Sequence, residues 1–187
     1  RSGLEKDPDV EQFTVIYQIS DMPVLFGEQE IAANAFSVDS TFFKIFPYRV
    51  IAGSGRIVRP RDVVITRSFW MKKLGGKNAI GATFKNTKGN KFTIVGVVDD
   101  PDTKTSWTPD IFMSNELDEF LFFDPIYAML MASDADIALL NKKYSKEHPR
   151  SKWSTYETVR YQYLPLKDLY YDKDHGKENK NYQYGNQ

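Results

Sequence analysis

The stretch from Asp62 to Asp100, DVVITRSFWMKKLGGKNAIGATFKNTKGNKFTIVGVVDD, constrains the chain most, because its local signals agree with one another. Val63, Val64 and Ile65 form an apolar β-branched run, which favours a strand, and Thr66 is placed to cap a following helix. In that helix Phe69, Trp70, Lys73 and Leu74 share one side, and Gly75-Gly76 supplies a left-handed stop. Ala82 to Lys85 then reads as a strand, Lys88-Gly89-Asn90 as a turn needing positive φ, and Phe92 to Val98 as the return strand of a hairpin. Asp99-Asp100-Pro101 ends it, since proline donates no hydrogen bond and restricts the residue before it.

Upstream, Phe13, Val15, Tyr17 and Ile19 alternate within Val10 to Ile19, the pattern of a strand with one buried face. Asp21-Met22-Pro23 and Phe26-Gly27 read as a connection. A second alternating run from Ile31 to Val38 follows. Asp39 or Ser40 is then placed to cap a short helix carrying Phe42, Phe43, Ile45 and Phe46, which Pro47 ends. Tyr48 to Ile51 is extended, Gly53-Ser54-Gly55 is a turn, and Arg56 to Arg61 is a polar link.

Downstream, Thr103 to Asp110 is a loop, Ile111-Phe112-Met113 a short apolar segment, Asn115 to Phe123 a helical turn or loop, and Ile126 to Met131 a buried strand. Ser133-Asp134-Ala135-Asp136 is a capping-box pattern. Ile137, Leu140 and Tyr144 then line a helix that His148-Pro149 stops, with His148 a cation at its C-terminal end. Thr155 to Tyr163 alternates as a strand, and the polar tail from Asp172 carries few apolar anchors.

Several chemistries have no footing here. Lys and Arg equal Asp and Glu at 25 each, so there is no basic excess to neutralise nucleic-acid phosphates. Cysteine is absent, which removes disulfides and thiolate sites. His148 and His175 lack a partner at metal-binding spacing. Asp172-Lys173-Asp174-His175-Gly176 echoes the first part of a calcium loop without the bidentate Glu that closes one. Ser68 and Ser106 lack the nucleophile-elbow motif, and Gly53-Ser54-Gly55 is followed by no Walker lysine. No apolar run reaches the ~18 residues of a membrane span, and Arg1 to Lys6 has no signal-peptide core. Neither metal nor cofactor is expected. Phe42, Phe43 and Phe46 read as core, whereas Trp107, Trp153, Tyr161 and Tyr163 are candidates for a partner surface.

In its order of elements, strand, Thr, amphipathic helix, Gly, Ile80-Gly81, hairpin, Val95-Gly96-Val97-Val98 and Asp-Pro, the central stretch resembles the periplasmic core domain of MacB-like and FtsX-like ABC transporter permeases. Val38-Asp39-Ser40-Thr41-Phe42-Phe43-Lys44-Ile45-Phe46 resembles that family's entry segment, and Leu164-Pro165-Leu166-Lys167-Asp168-Leu169-Tyr170 its closing one. The ordered set spans roughly Phe36 to Tyr171. The resemblance implies an α+β fold of two lobes, a porter-like lobe from residues 1–38 and 111–187 and an inserted, β-rich, sabre-like lobe from residues 39–110.

It further implies a non-catalytic domain on the periplasmic face of the bacterial inner membrane, cut from its flanking membrane helices and monomeric in isolation. A cytoplasmic ATPase subunit would drive it, with a periplasmic adaptor or lipoprotein as a further partner. Two other classes compete. One is a secreted domain binding a glycan or peptide through aromatic rings. The other is a hydrolase built from Asp99, Asp100 and Asp124, which requires two close carboxylates with one pKa raised.

Overall fold

In the computed structural model the described residues are 3–101, 107–116, 125–133, 135–144, 147–149, 158–160 and 163–165. The strands are β1 (Val10–Phe26), β2 (Gln29–Val38), β3 (Val50–Gly53), β4 (Asp62–Thr66), β5 (Thr83–Asn86), β6 (Lys91–Val98), β7 (Ile111–Ser114), β8 (Ile126–Met131), β9 (Glu147–Pro149) and β10 (Thr158–Arg160). The α-helices are α1 (Phe42–Ile45), α2 (Arg67–Lys73) and α3 (Ile137–Tyr144). A sheet-dominated α+β chain is what the alternating runs predict.

Two compact units divide the chain, residues 12–130 and residues 1–11 with 131–187. In the first, one sheet takes the order β2-β7-β4-β6-β5-β1-β8, and β1 pairs again with β2. Six strands therefore form a closed path. Its β2–β7 and β4–β6 pairs are parallel, and β4–β7, β5–β6, β1–β5 and β1–β2 are antiparallel. β3 joins β6 as a short antiparallel branch. The lobe boundaries expected at 38/39 and 110/111 fall within this one sheet, since β2 pairs with β7 and β7 with β4.

Alternate residues of these strands enter two different cores. Ile31, Ala33 and Ala35 of β2, Val63 and Ile65 of β4, and Ile111 and Met113 of β7 join Phe69, Phe84 and Phe92 in one. Phe36, Val38, Val64 and Phe112, which point the other way, join Ile16, Val98 and Phe42 in the second. Every residue of β4 is buried. Burial on both faces explains why that strand is written as a continuous apolar run rather than as an alternation.

The first strand is longer than its sequence pattern predicts. β1 continues through Asp21-Met22-Pro23 to Phe26, where a connection was expected. The register against β2 shifts between Ile19 and Met22, and Asp21 there adopts φ 50°, with its N–H donating to Asn34 Oδ1 at 3.3 Å. This bulge re-phases the strand, so that Met22 and Val24 still enter the first core after the irregularity. Gly27, at φ 64°, then turns the chain into β2.

α1, α2 and the hairpin form where the sequence marks them. Thr66 Oγ1 accepts the Phe69 N–H at 3.4 Å, and Gly75 and Gly76 take φ values of 64° and 66°. Gly89, at φ 80°, turns β5 into β6. Asp39, rather than Ser40, caps α1, its Oδ1 accepting from the Thr41 and Phe42 N–H groups at 2.9 and 3.2 Å. The same carboxylate takes the Thr14 hydroxyl at 2.8 Å and the Val15 N–H at 3.0 Å, tying α1 to β1.

In the unit of residues 1–11 and 131–187, α3 is capped by Asp136, whose Oδ1 accepts from Ala138 and Leu139 N–H at 2.8 and 3.1 Å. The capping-box pattern from Ser133 names a residue one turn too early. The helix also ends at Tyr144, before His148. Glu147, His148 and Pro149 instead pair with Arg160, Val159 and Thr158, so His148 lies in a strand and not at a helix C-terminus. β8 has the expected bounds, but its residues are half-buried rather than buried, and Leu130 is exposed.

Candidate functional site

Two of the three carboxylates that a hydrolase would need, those of Asp99 and Asp100, are used structurally. Asp99, at the end of β6, forms an ion pair with Arg49, and Arg67 Nη1 lies 3.6 Å from its other oxygen. The Arg49 hydrogen bond holds the Asp99 carboxyl below the usual carboxylate range, the opposite of what a general acid requires. Asp100 accepts the Ser68 N–H at 3.1 Å and the Ser68 hydroxyl at 2.9 Å. Together with Thr66 it satisfies amide donors at the start of α2, and its neighbour Asp99 fastens β3 to β6 through Arg49. Asp124 lies outside the described residues, as do Ser106 and the stretch from Asp172.

Asp110 serves the same kind of purpose. Its carboxylate accepts the Asn34 N–H at 2.8 Å, its own N–H donates to the Asn34 carbonyl at 2.7 Å, and its carbonyl takes the Thr66 N–H at 3.0 Å. Burial pushes this carboxyl above the usual range, against the pull of the Asn34 hydrogen bond. Among the described residues no group of three His, Asp or Glu side chains is placed to hold a metal ion.

The second core is an aromatic block. Phe42 meets Phe46 at 5.0 Å, Phe43 at 5.2 Å and Phe112 at 5.4 Å between ring centroids, and Tyr48 meets Phe112 at 5.1 Å. Burial pushes the Tyr48 hydroxyl up to about 12. Trp107 packs edge-on against Phe36 at 5.7 Å and lies 5.7 Å from Phe46. The expected partner-surface ring thus sits half-buried at the rim of this block.

Tyr163 is 8% exposed, and its backbone is held by Asn141 at both ends, N–H to Oδ1 and carbonyl to Nδ2, each at 2.8 Å. Trp153 and Tyr161 lie outside the described residues.

In its own unit, Asp7 is the hub. Its Oδ2 takes the Lys143 ammonium at 2.6 Å and the Tyr144 hydroxyl at 2.7 Å, and its Oδ1 takes the Asp9 N–H at 3.1 Å. The Lys143 and Tyr144 hydrogen bonds hold this carboxyl at about 2, and both partners are pushed upward in turn. No sequence pattern names this triad, because its members lie 136 and 137 positions apart.

The described sheet thus carries two cores, and its Asp39, Asp99, Asp100 and Asp110 carboxylates are committed to caps, ion pairs and backbone amides. Residues 3–144 match the family described as the MacB-like periplasmic core domain. The chain belongs to that family. Solved structures share its fold. The periplasmic region of MacB from Actinobacillus actinomycetemcomitans matches at 17% identity and a TM-score of 0.60, covering 76% of this chain and 67% of that one. A structure described as a domain of a permease protein from Porphyromonas gingivalis matches at 17% identity and a TM-score of 0.62, covering 76% and 74%. The extracellular domain of the noncanonic ABC-type transporter YknZ from Gram-positive bacteria matches at 18% identity and a TM-score of 0.58, covering 77% and 75%. No curated protein matches the chain.

The family assignment matches the resemblance carried by the entry segment and the Asp62 to Asp100 stretch. Both lie inside the matched residues, and the closing segment from Leu164 lies beyond them. Among the described residues of this periplasmic core domain, no helix is long and apolar enough to cross a membrane.

Proposed function

We propose that the chain is the extracytoplasmic part of an ABC transporter permease at the bacterial inner membrane, and that it does mechanical rather than chemical work. In this reading a separate cytoplasmic subunit hydrolyses ATP and the permease's membrane helices pass the motion outward. The domain turns that motion into export or lipoprotein handling. The observation that carries the reading is the family match over residues 3–144. The use of Asp99, Asp100 and Asp110 as structural fasteners supports a non-catalytic role.

The test is the complete gene and its product. Apolar runs of about 20 residues on both sides of this segment, and co-purification of the full-length membrane protein with a Walker-motif ATPase, are the expected results. A cleavable signal peptide followed by a stop codon near Gln187, with no ATPase partner, would overturn the proposal in favour of a secreted binding domain.

A further inference from the structure

The balanced charge of the chain conceals a segregated one. From Ser40 to Arg61 there is no Asp or Glu, while Lys44, Arg49, Arg56, Arg59 and Arg61 are all present. Arg49 is neutralised by Asp99. Arg56, Arg59 and Arg61, in the connection from β3 to β4, are exposed and form no ion pair among the described residues.

That connection is held in shape from its base. Ser54 Oγ donates to the Arg56 carbonyl at 2.7 Å and accepts its N–H at 3.2 Å. Asp62 Oδ2 accepts the Arg59 N–H at 3.0 Å, and the Arg61 carbonyl takes the Thr93 N–H at 2.9 Å. Ile57 packs against the second core. The Asp62 carboxylate is thus buried and occupied by a backbone amide, while the Arg61 guanidinium lies over the Phe92 ring, 5.9 Å from its centroid, with no carboxylate partner among the described residues.

Apolar surface adjoins them. Val58, between Arg56 and Arg59, is 69% exposed, and Val50 and Ile51 of β3 are 46% and 37% exposed. The connection folds back on that strand, so closely that a Cβ at Gly55 would lie 2.5 Å from Val50 Cγ2. Arginine forks beside aliphatic side chains are the composition of a protein interface, where guanidinium groups engage carboxylates in pairs of parallel hydrogen bonds. A loop that enters a lipid surface carries Trp, Phe or Leu at its tip, and this one carries a single valine.

We propose that the β3–β4 connection, through Arg56, Arg59, Arg61 and Val58, is a docking surface for an acidic, aliphatic segment of a partner protein. The inference rests on this surface alone and stands whether or not the permease reading holds.

The test uses the 187-residue chain and two fluorescein-labelled peptides of equal charge, one of glutamate and glycine and one of glutamate and leucine. Binding is read by anisotropy at low ionic strength. The variant R56Q/R59Q/R61Q is compared with K85Q/K88Q/K91Q, which removes the same charge from exposed positions of the hairpin. The arginine variant should weaken both peptides about tenfold, since three exposed charge pairs act together, and the lysine variant less than twofold. V58S should weaken the leucine peptide alone.

Unchanged far-UV circular dichroism confirms the fold of each variant. Equal losses in the two triple variants, or no peptide binding by the parent, would overturn the proposal. So would arginine-dependent binding to vesicles of equal parts phosphatidylglycerol and phosphatidylcholine that exceeds peptide binding, because a lipid surface would then be the better ligand.

Discussion

The Lys143 ammonium of α3 meets the Asp7 carboxylate at 2.6 Å, joining the start of the described chain to a helix 136 positions later. The Asp7 side chain is 3% exposed while that of Lys143 is 56% exposed, so the carboxylate carries most of the desolvation and the bond depends on Asp7 staying ionised.

This pairing sets an acid limit. Asp7 titrates at about 2 in the folded chain against an ordinary value of 3.8, so as pH falls the unfolded state takes up the proton first. Its stabilisation is complete above the unfolded value and is lost as pH falls from about 4 toward 2. Urea denaturation of the wild type across that window should show falling stability. D7N should be less stable at neutral pH and show a flatter slope; an unchanged slope would mean that Asp7 does not control the acid limit.

Phe42 is 1% exposed at the centre of five aromatic contacts, with Phe36, Phe43, Phe46, Tyr48 and Phe112. Truncation to alanine leaves a ring-sized cavity between α1 and the sheet. F42A should lose about 3–5 kcal/mol in chemical denaturation. The half-buried Phe43, truncated in the same way, should lose less.

Gly53 combines φ +66° with a backbone so close to β6 that a Cβ would collide with the Val95 carbonyl. Gly89 has φ +80° and open space around it. G89A should therefore cost about 1 kcal/mol of conformational strain alone, and G53A clearly more, because backbone on β6 must move as well. The two midpoints of denaturation, measured side by side, separate strain from collision. Equal losses would show that β3 and β6 can part without cost.

Thr66 is 2% exposed and accepts the Phe69 N–H. T66A should lose about 1 kcal/mol by removing that cap. Removing Asp100, the acceptor for Ser68, attacks the same turn, so the double variant T66A/D100A should deviate from the sum of the single ones. Additivity would show that the two acceptors act independently.

Much of this structure is legible in the residues themselves, and the reason is range. The Thr66 cap, the Gly75-Gly76 stop, the Gly89 turn and the hairpin strands each depend on groups a few positions apart, which sequence spacing records directly. The order of those local signals was enough to indicate the family. Local pattern misleads where a nearby competitor exists. Ser133 matches a capping box, but Asp136 supplies the acceptor, and Met22-Pro23 reads as a break although the Asp21 bulge lets β1 continue.

The tertiary structure alone decided what depends on distant encounters. It closed the path from β2 through β7, β4, β6 and β5 to β1, and it set alternate faces of β4 and β7 into two cores. It joined Asp99 to Arg49 across 50 positions and Asp7 to Lys143 across 136. It also left Arg56, Arg59 and Arg61 without an ion-pair partner among the described residues, in the connection that exposes Val58. Charge and hydrophobicity are properties of each residue, but whether a charge is paired or an apolar side chain covered depends on neighbours that only folding supplies.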